Sequence, residues 1–202
     1  MAIGLHSDLS SDTISFEDFL RVYDDVHAEW VAGKVVPMSP ASDRHQDVVG
    51  FLHAVIRPFL RARGLGVVRA GPFVMRLGAA AREPDLLLVR TEHTGRIKPT
   101  FLDGAADLVI EVLSPESRTR DTTEKLAEYE AAGVREYWTI DPTRQTAGQY
   151  RLGDGGRYEA VGLGEPPELA SDAFPGLRIR AEWLWTDPLP DELAVLKELG
   201  VV

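Results

Sequence analysis

The chain of 202 residues contains no cysteine. That single absence excludes disulfides, thiolate zinc sites, iron–sulfur clusters and a cysteine nucleophile together, and it leaves the redox compartment open. An excess of positive charge is lacking too. Lys and Arg number 22 against 32 Asp and Glu, a formal net charge of −10. Such a balance argues against non-specific nucleic-acid binding through a basic surface. No window approaches the roughly 18 apolar residues of a membrane span. The first 15 residues show no basic stretch followed by an apolar run, so no secretory signal is expected. These absences predict a cytoplasmic protein with no membrane partner. What is there is ordinary for a globular chain, 44% hydrophobic and 27% charged, in a length that suits one domain with a real core.

Helical spacing of Phe16, Phe19, Leu20 and Tyr23 predicts a first helix from Ser15 to His27. Glu29 to Val36 reads as a hairpin turning at Ala32-Gly33. Ser42 opens a longer helix to about Arg63, with Pro58 expected to kink it or limit its last turn and Gly64 to stop it. The period then changes. Val67 to Ala70 and Phe73 to Leu77 are β-rich. Asp85 to Val89 and Asp107 to Val112 are nearly continuous apolar runs, as in strands covered on both faces. Asp121 to Ala132 reads as a helix with Asp121 as its N-cap and Gly133 as its stop. Arg135 to Ile140 is a further strand. Gly148 to Leu152 and Arg157 to Val161 flank a hairpin turn, Gly162 to Pro175 a loop, and Asp191 to Leu199 a terminal helix. Strands alternating with helices predict an α/β fold. The division expected is a single domain over 1–202: N-terminal helices and hairpin over 15–63, a core over 66–161 and a C-terminal extension over 162–202.

Two acids sit where acids are costly. Glu111 lies inside Leu108-Val109-Ile110 and Val112-Leu113, and Asp85 opens Leu86-Leu87-Leu88-Val89. A carboxylate buried in a sheet without a partner costs several kcal/mol. It is protonated, salt-bridged or bound to a metal. Lys125, on the helix that follows the Glu111 strand, is the nearest cation in the pattern. Two carboxylates at strand ends with a lysine beside them suit a hard cation, Mg²⁺ or Mn²⁺, which needs only one or two protein carboxylates. A buried ion pair with no metal accounts for the same spacing, and Asp85 alone fits a strand-start residue.

At these residues the chain resembles a known family. Pro84-Asp85, the run Asp107 to Pro115, Arg120 to Leu126 and Gly133 to Pro142 look like the Uma-two restriction endonuclease family of the PD-(D/E)XK nuclease superfamily. Glu29 to Gly33, Met38-Ser39-Pro40, Arg44-His45-Gln46 and Phe174 to Leu177 extend the likeness over nearly the whole chain. The resemblance implies a restriction-endonuclease-like core, a mixed β-sheet flanked by α-helices. It implies Asp85, Glu111 and the Val112 carbonyl as metal ligands. The superfamily's lysine lies two residues after the second acid, where this chain has Leu113. The resemblance places that function on Lys125 instead. It also puts Glu29 and His45 at the same pocket, completing a second metal site or holding a water, although by pattern alone Glu29 fits a surface acid beside Trp30 and His45 a core histidine bonded to backbone. The family often has Asp where Ala32 stands here.

Other residues carry less. Tyr137 and Trp138 read as core. Ser114 has no nearby histidine base. Arg118 and Arg120 fit either a phosphate contact or a solvated loop. His6, His27, His53 and His93 share no metal-like spacing. The expectation is therefore a Mg²⁺- or Mn²⁺-dependent endonuclease hydrolysing DNA, with weak, metal-dependent and salt-sensitive binding and a homodimer as the assembly that suits cutting two strands. The alternatives are a catalytically silent nuclease-fold interaction module and a metal-dependent hydrolase of smaller phosphoesters.

Overall fold

The computed structural model describes residues 13–23 and 26–202. Helix α1 spans Phe16–Val22, with the Ser15 side chain accepting from the Asp18 amide. Of the predicted extension to His27, Tyr23, Val26 and His27 are not helical; Asp24 and Asp25 lie outside the described residues. Here the chain is already committed to a sheet, because the His27 carbonyl accepts from the Met38 amide. The hairpin follows as expected, β1 (Ala28–Val31) against β2 (Lys34–Pro37). Its corner places Ala32 at φ 48° and Gly33 at φ 85°, the left-handed pair of a tight hairpin turn.

Helix α2 (Asp43–Arg63) starts at Ser42, whose side chain accepts from the His45 amide, and ends at Gly64 in the left-handed conformation. It runs on through Pro58. Its inner face, Val48, Phe51, Leu52, Val55, Ile56, Phe59 and Leu60, is buried against strand residues including Leu86, Leu88, Leu108, Ile110 and Trp138. Each such side chain contributes about 1.5–3 kcal/mol on burial, so the core holds without disulfides.

The strands after α2 are β3 (Gly66–Ala70), β4 (Val74–Leu77), β5 (Ala80–Arg82), β6 (Leu86–Arg90), β7 (Phe101–Asp103) and β8 (Leu108–Val112). Three-residue β5 and β7 escaped the sequence reading because neither carries a β-branched run. Helices α3 (Arg118–Thr122) and α4 (Glu124–Ala132) replace the one helix expected, broken at Thr123. Asp121 is therefore inside α3 and not an N-cap. Strands β9 (Glu136–Asp141), β10 (Thr146–Leu152) and β11 (Tyr158–Ala160) follow, then β12 (Glu168–Ala170) in the segment expected to be loop, β13 (Arg178–Arg180) beyond it, and α5 (Glu192–Glu198).

The larger sheet runs β11-β10-β9-β8-β6-β3 and the other β2-β1-β5-β4-β7. Strand β8 is central, parallel to β9 and antiparallel to β6. Side chains alternate across a strand. Leu108 and Ile110 face α2, while Val109 faces Tyr129 of α4. By that parity Glu111 points toward α4. Asp85, in phase with Leu87 and Val89, points to the same side.

Candidate functional site

The register Leu86↔Ile110 sets Asp85 and Glu111 side by side where β6 and β8 part. Both line a cavity of about 1120 Å³, walled also by the start of α2 with His45 and Gln46, by Gly71-Pro72, and by Arg120, Asp121 and Lys125. The two acids are held differently. Asp85 Oδ2 accepts from the Val112 amide at 2.7 Å and lies 3.2 Å from His45 Nε2. Glu111 Oε1 accepts from Lys125 Nζ at 2.8 Å and from the Tyr129 hydroxyl at 2.9 Å.

Lys125 is almost sealed from solvent, 1% exposed, and Glu29 is wholly buried. Lys125 Nζ also lies 3.2 Å from Glu29 Oε1 and 3.3 Å from Asp121 Oδ1. Lys125 and Tyr129, four residues apart on α4, both point at Glu111, and Asp121 joins them from the end of α3, across the break at Thr123. Behind them, Glu29 Oε2 accepts from Arg82 Nη1 at 2.8 Å, and Arg82 grips Glu128 with Nε at 2.6 Å and Nη2 at 2.7 Å. Glu29 does not line the cavity. It stands behind Lys125, its two oxygens taken by Lys125, Arg82 and the Glu83 amide. At the rim, His27 Nε2 meets Glu83 Oε1 at 2.9 Å.

Burial in the company of Asp121 and Asp85 pushes Glu111 up to about 8, against the pull of Lys125. Burial opposes the charge of Lys125, but Glu111, Glu29 and Asp121 overcome it and hold the ammonium far above its ordinary range. Burial also disfavours charge on Glu29, yet Lys125 and Arg82 bring it below the usual value. His45 is raised: burial works downward, and the bond and charge of Asp85, with the Val112 carbonyl, outweigh it. Burial raises Glu83, with His27 opposing. The cavity therefore gathers more carboxylates than cations.

The residues fit a divalent cation. Asp85 Oδ1 and Glu111 Oε2 make no hydrogen bond to any described residue, and Asp121 Oδ1, buried, makes no hydrogen bond beyond its 3.3 Å ion-pair contact with Lys125. The donor set is all oxygen. No group of three or more His, Asp or Glu side chains among the described residues forms a metal cage.

Asp121, Arg82, Glu128, Glu83 and His27 join the site without a role assigned to them from sequence. The four-residue step from Asp121 to Lys125 was a usable signal; Arg82 and Glu83 offered only their place before Pro84-Asp85. Arg118 is bound to Asp141 at 2.7 Å, whereas Arg120 lines the cavity. His93 pairs with Asp107, elsewhere in the sheet. Tyr137 and Trp138 are core. His6 lies outside the described residues.

A mixed sheet with helices packed on it, presenting two acids from neighbouring strands to a lysine on the next helix, defines a nuclease-like α/β architecture. The chain belongs to the Uma2 family, described as "Putative restriction endonuclease", whose model matches residues 16–182. It is similar in fold to a solved protein from Anabaena variabilis ATCC 29413, titled "a putative nuclease belonging to DUF820". The TM-score is 0.72 at 19% identity, covering 85% of this chain and 97% of that one. Among curated proteins no relative matches the chain.

Proposed function

We propose that this protein is a Mg²⁺- or Mn²⁺-dependent endonuclease that hydrolyses DNA phosphodiester bonds. The observation that carries the reading is Lys125 Nζ at 2.8 Å from Glu111 Oε1, beside Asp85 on the neighbouring strand. An acid–acid–lysine set is thus assembled in space although the strand position expected for the lysine holds Leu113.

Asp85, Glu111 and the Val112 carbonyl would hold the cation. When bound, it supplies Lewis-acid polarisation of a phosphoryl oxygen and acidifies water. The chain's own groups do the rest. Lys125 keeps its proton, so it serves as a positive charge beside the phosphate and not as a base. Glu29 and Arg82 fix its position from behind. His45 Nε2 orients Asp85, and its Nδ1, buried without a partner, stays available for a proton or a water. Arg120 at the cavity wall faces the incoming phosphate.

The test is plasmid nicking with Mg²⁺ or Mn²⁺ by wild type and by Asp85→Asn, Glu111→Gln and Lys125→Met. Each variant is expected to lose about 10²-fold or more in rate, as when a transition-state charge partner is removed. Activity surviving all three substitutions refutes the assignment. A second reading, a catalytically silent module, is favoured by one observation: three carboxylates enclose Lys125 at 1% exposure. Calorimetric titration with Mn²⁺ separates the two, since the silent module predicts no binding by the folded protein. A preference for small phosphodiesters over plasmid would instead mark a hydrolase of smaller esters.

A further inference from the structure

Between Asp47 and Glu83 the chain has no acid at all, in a molecule where acids outnumber bases. Six arginines stand in that stretch. Arg82 is buried against Glu29 and Glu128, Arg76 pairs with Glu17, and Arg63 donates to the Leu199 carbonyl. Arg57, Arg61 and Arg69 have no carboxylate partner among the described residues; Arg69 donates only to the Val68 carbonyl.

These free cations are grouped. His53, Arg57 and Arg61 recur every four residues on the outward face of α2. Gly50 and Ala54 share that face, and the space over Gly50 is open. Arg69 joins them from β3, the edge strand of the larger sheet. Burial lowers the pKa of His53, and the nearby charges of Arg57 and Arg69 lower it further. Like charges gathered without a counter-ion oppose the compact state. An otherwise acidic protein carries here the makings of an anion-binding face.

The face leads to the cavity by both elements. Gln46, on the same side of α2, lines it, and Gly71, two residues beyond Arg69, forms its rim. Arg57 lies eleven helical residues from Gln46, about 16 Å at 1.5 Å per residue. That equals about five phosphates along one strand of B-DNA at 3.4 Å rise.

We infer that the outward face of α2 and the adjoining edge of β3 hold the phosphate backbone of a DNA duplex whose scissile phosphate enters the cavity. The inference rests on the nuclease reading and adds the surface that grips flanking DNA. Arg57 and Arg69 are positioning contacts some nucleotides from the reacting bond. The surface answers the charge problem locally: in a chain of net charge −10, a strip of arginines without carboxylate partners among the described residues leads to the cavity.

The experiment is fluorescence anisotropy of a labelled duplex of about 20 base pairs with the full-length protein in metal-free buffer, titrated over NaCl. It is repeated with Arg57→Gln/Arg69→Gln. The double variant is expected to bind about tenfold more weakly, with the slope of log affinity against log salt reduced by about two, one for each phosphate contact. Its Mn²⁺-dependent hydrolysis of bis(4-nitrophenyl) phosphate should be unchanged, and its Tm unchanged or higher. Unaltered duplex affinity and slope overturn the inference, as does a wild-type protein that binds no duplex. Tighter binding of single-stranded RNA overturns the choice of partner. Arginine-dependent binding by a wild type that never cuts plasmid keeps the surface and removes the nuclease reading instead.

Discussion

Lys125 Nζ lies 2.8 Å from Glu111 Oε1, although one side chain comes from α4 and the other from the centre of β8. The ammonium is simultaneously within 3.3 Å of Glu29 and Asp121. Removing it leaves three buried carboxyl groups facing one another, two of them charged at neutral pH, a loss of about 3–5 kcal/mol. Lys125→Met should therefore lower stability as well as activity. Adding Glu29→Gln to Lys125→Met should recover part of the stability but none of the rate. A double-mutant cycle by urea melts, with nicking assays in parallel, checks this. Additive stability losses would show that the pair is not coupled.

The raised pKa of Glu111 makes a signed prediction for the metal-free protein. Its folded value of about 8 stands above the ordinary 4.5, so between those two pH values the folded state holds a proton that the unfolded state has lost. Stability from this group is complete below pH 4.5 and is lost as pH rises toward 8. His45, also raised, has the same sign from 6.5 upward. Glu29, lowered, acts oppositely and is lost only as pH falls below 4.5. Thermal melts in chelator should fall from pH 5 to pH 8, and Glu111→Gln should flatten the fall. Because a cation competes with that proton, Mn²⁺ should raise Tm more at pH 8 than at pH 5. An equal slope in wild type and Glu111→Gln would contradict the account.

Arg82, 2% exposed, bridges Glu29 to Glu128. Its planar fork meets Glu128 through two nitrogens, which an ammonium cannot reproduce. Arg82→Lys should cost well over 1 kcal/mol, and Arg82→Ala about 3–5 kcal/mol by stranding buried charge. Chemical denaturation is the measurement, and a loss below about 1 kcal/mol for the alanine variant would refute it.

The hairpin corner gives a prediction of opposite sign. Ala32 sits at φ 48°, which costs an ordinary L residue about 1–2 kcal/mol. Ala32→Asn or Ala32→Gly should raise stability by about 0.5–1 kcal/mol. Gly33→Ala should lower it, since a Cβ there would lie 2.6 Å from Thr13 Cβ at φ 85°. Position 32 is exposed at a turn. Tm shifts of the wrong sign would refute this.

Much of this arrangement was legible in the residues. The apolar runs around Asp85 and Glu111 announced central strands, and the lysine on the following helix was the cation expected beside them. Ser42 and Gly64 marked both ends of α2. The short strands β5, β7, β12 and β13 were not legible, because they exist through pairing with distant neighbours and not through local propensity. The same holds for Arg82: nothing in its local pattern distinguishes an arginine that bridges two distant glutamates from one in solvent. Asp121 was misread because its spacing to Glu124 imitates a capping box, while the break at Thr123 turned it toward Lys125. Glu29 was expected at the cavity and instead stands one layer behind it.

Where β6 and β8 separate, the last amide of the strand pair is closed by a side chain: the Val112 N–H donates to Asp85 Oδ2. One carboxylate thus serves as a stitch in the fabric and as a candidate ligand for chemistry. A lineage abandoning catalysis could not discard Asp85 freely, since alanine would orphan a buried amide at a cost of about 1–3 kcal/mol. Asparagine keeps an oxygen there and would mend the seam. Descendants that have lost the reaction should then betray themselves by Asn at this position, with the weave intact and the charge gone.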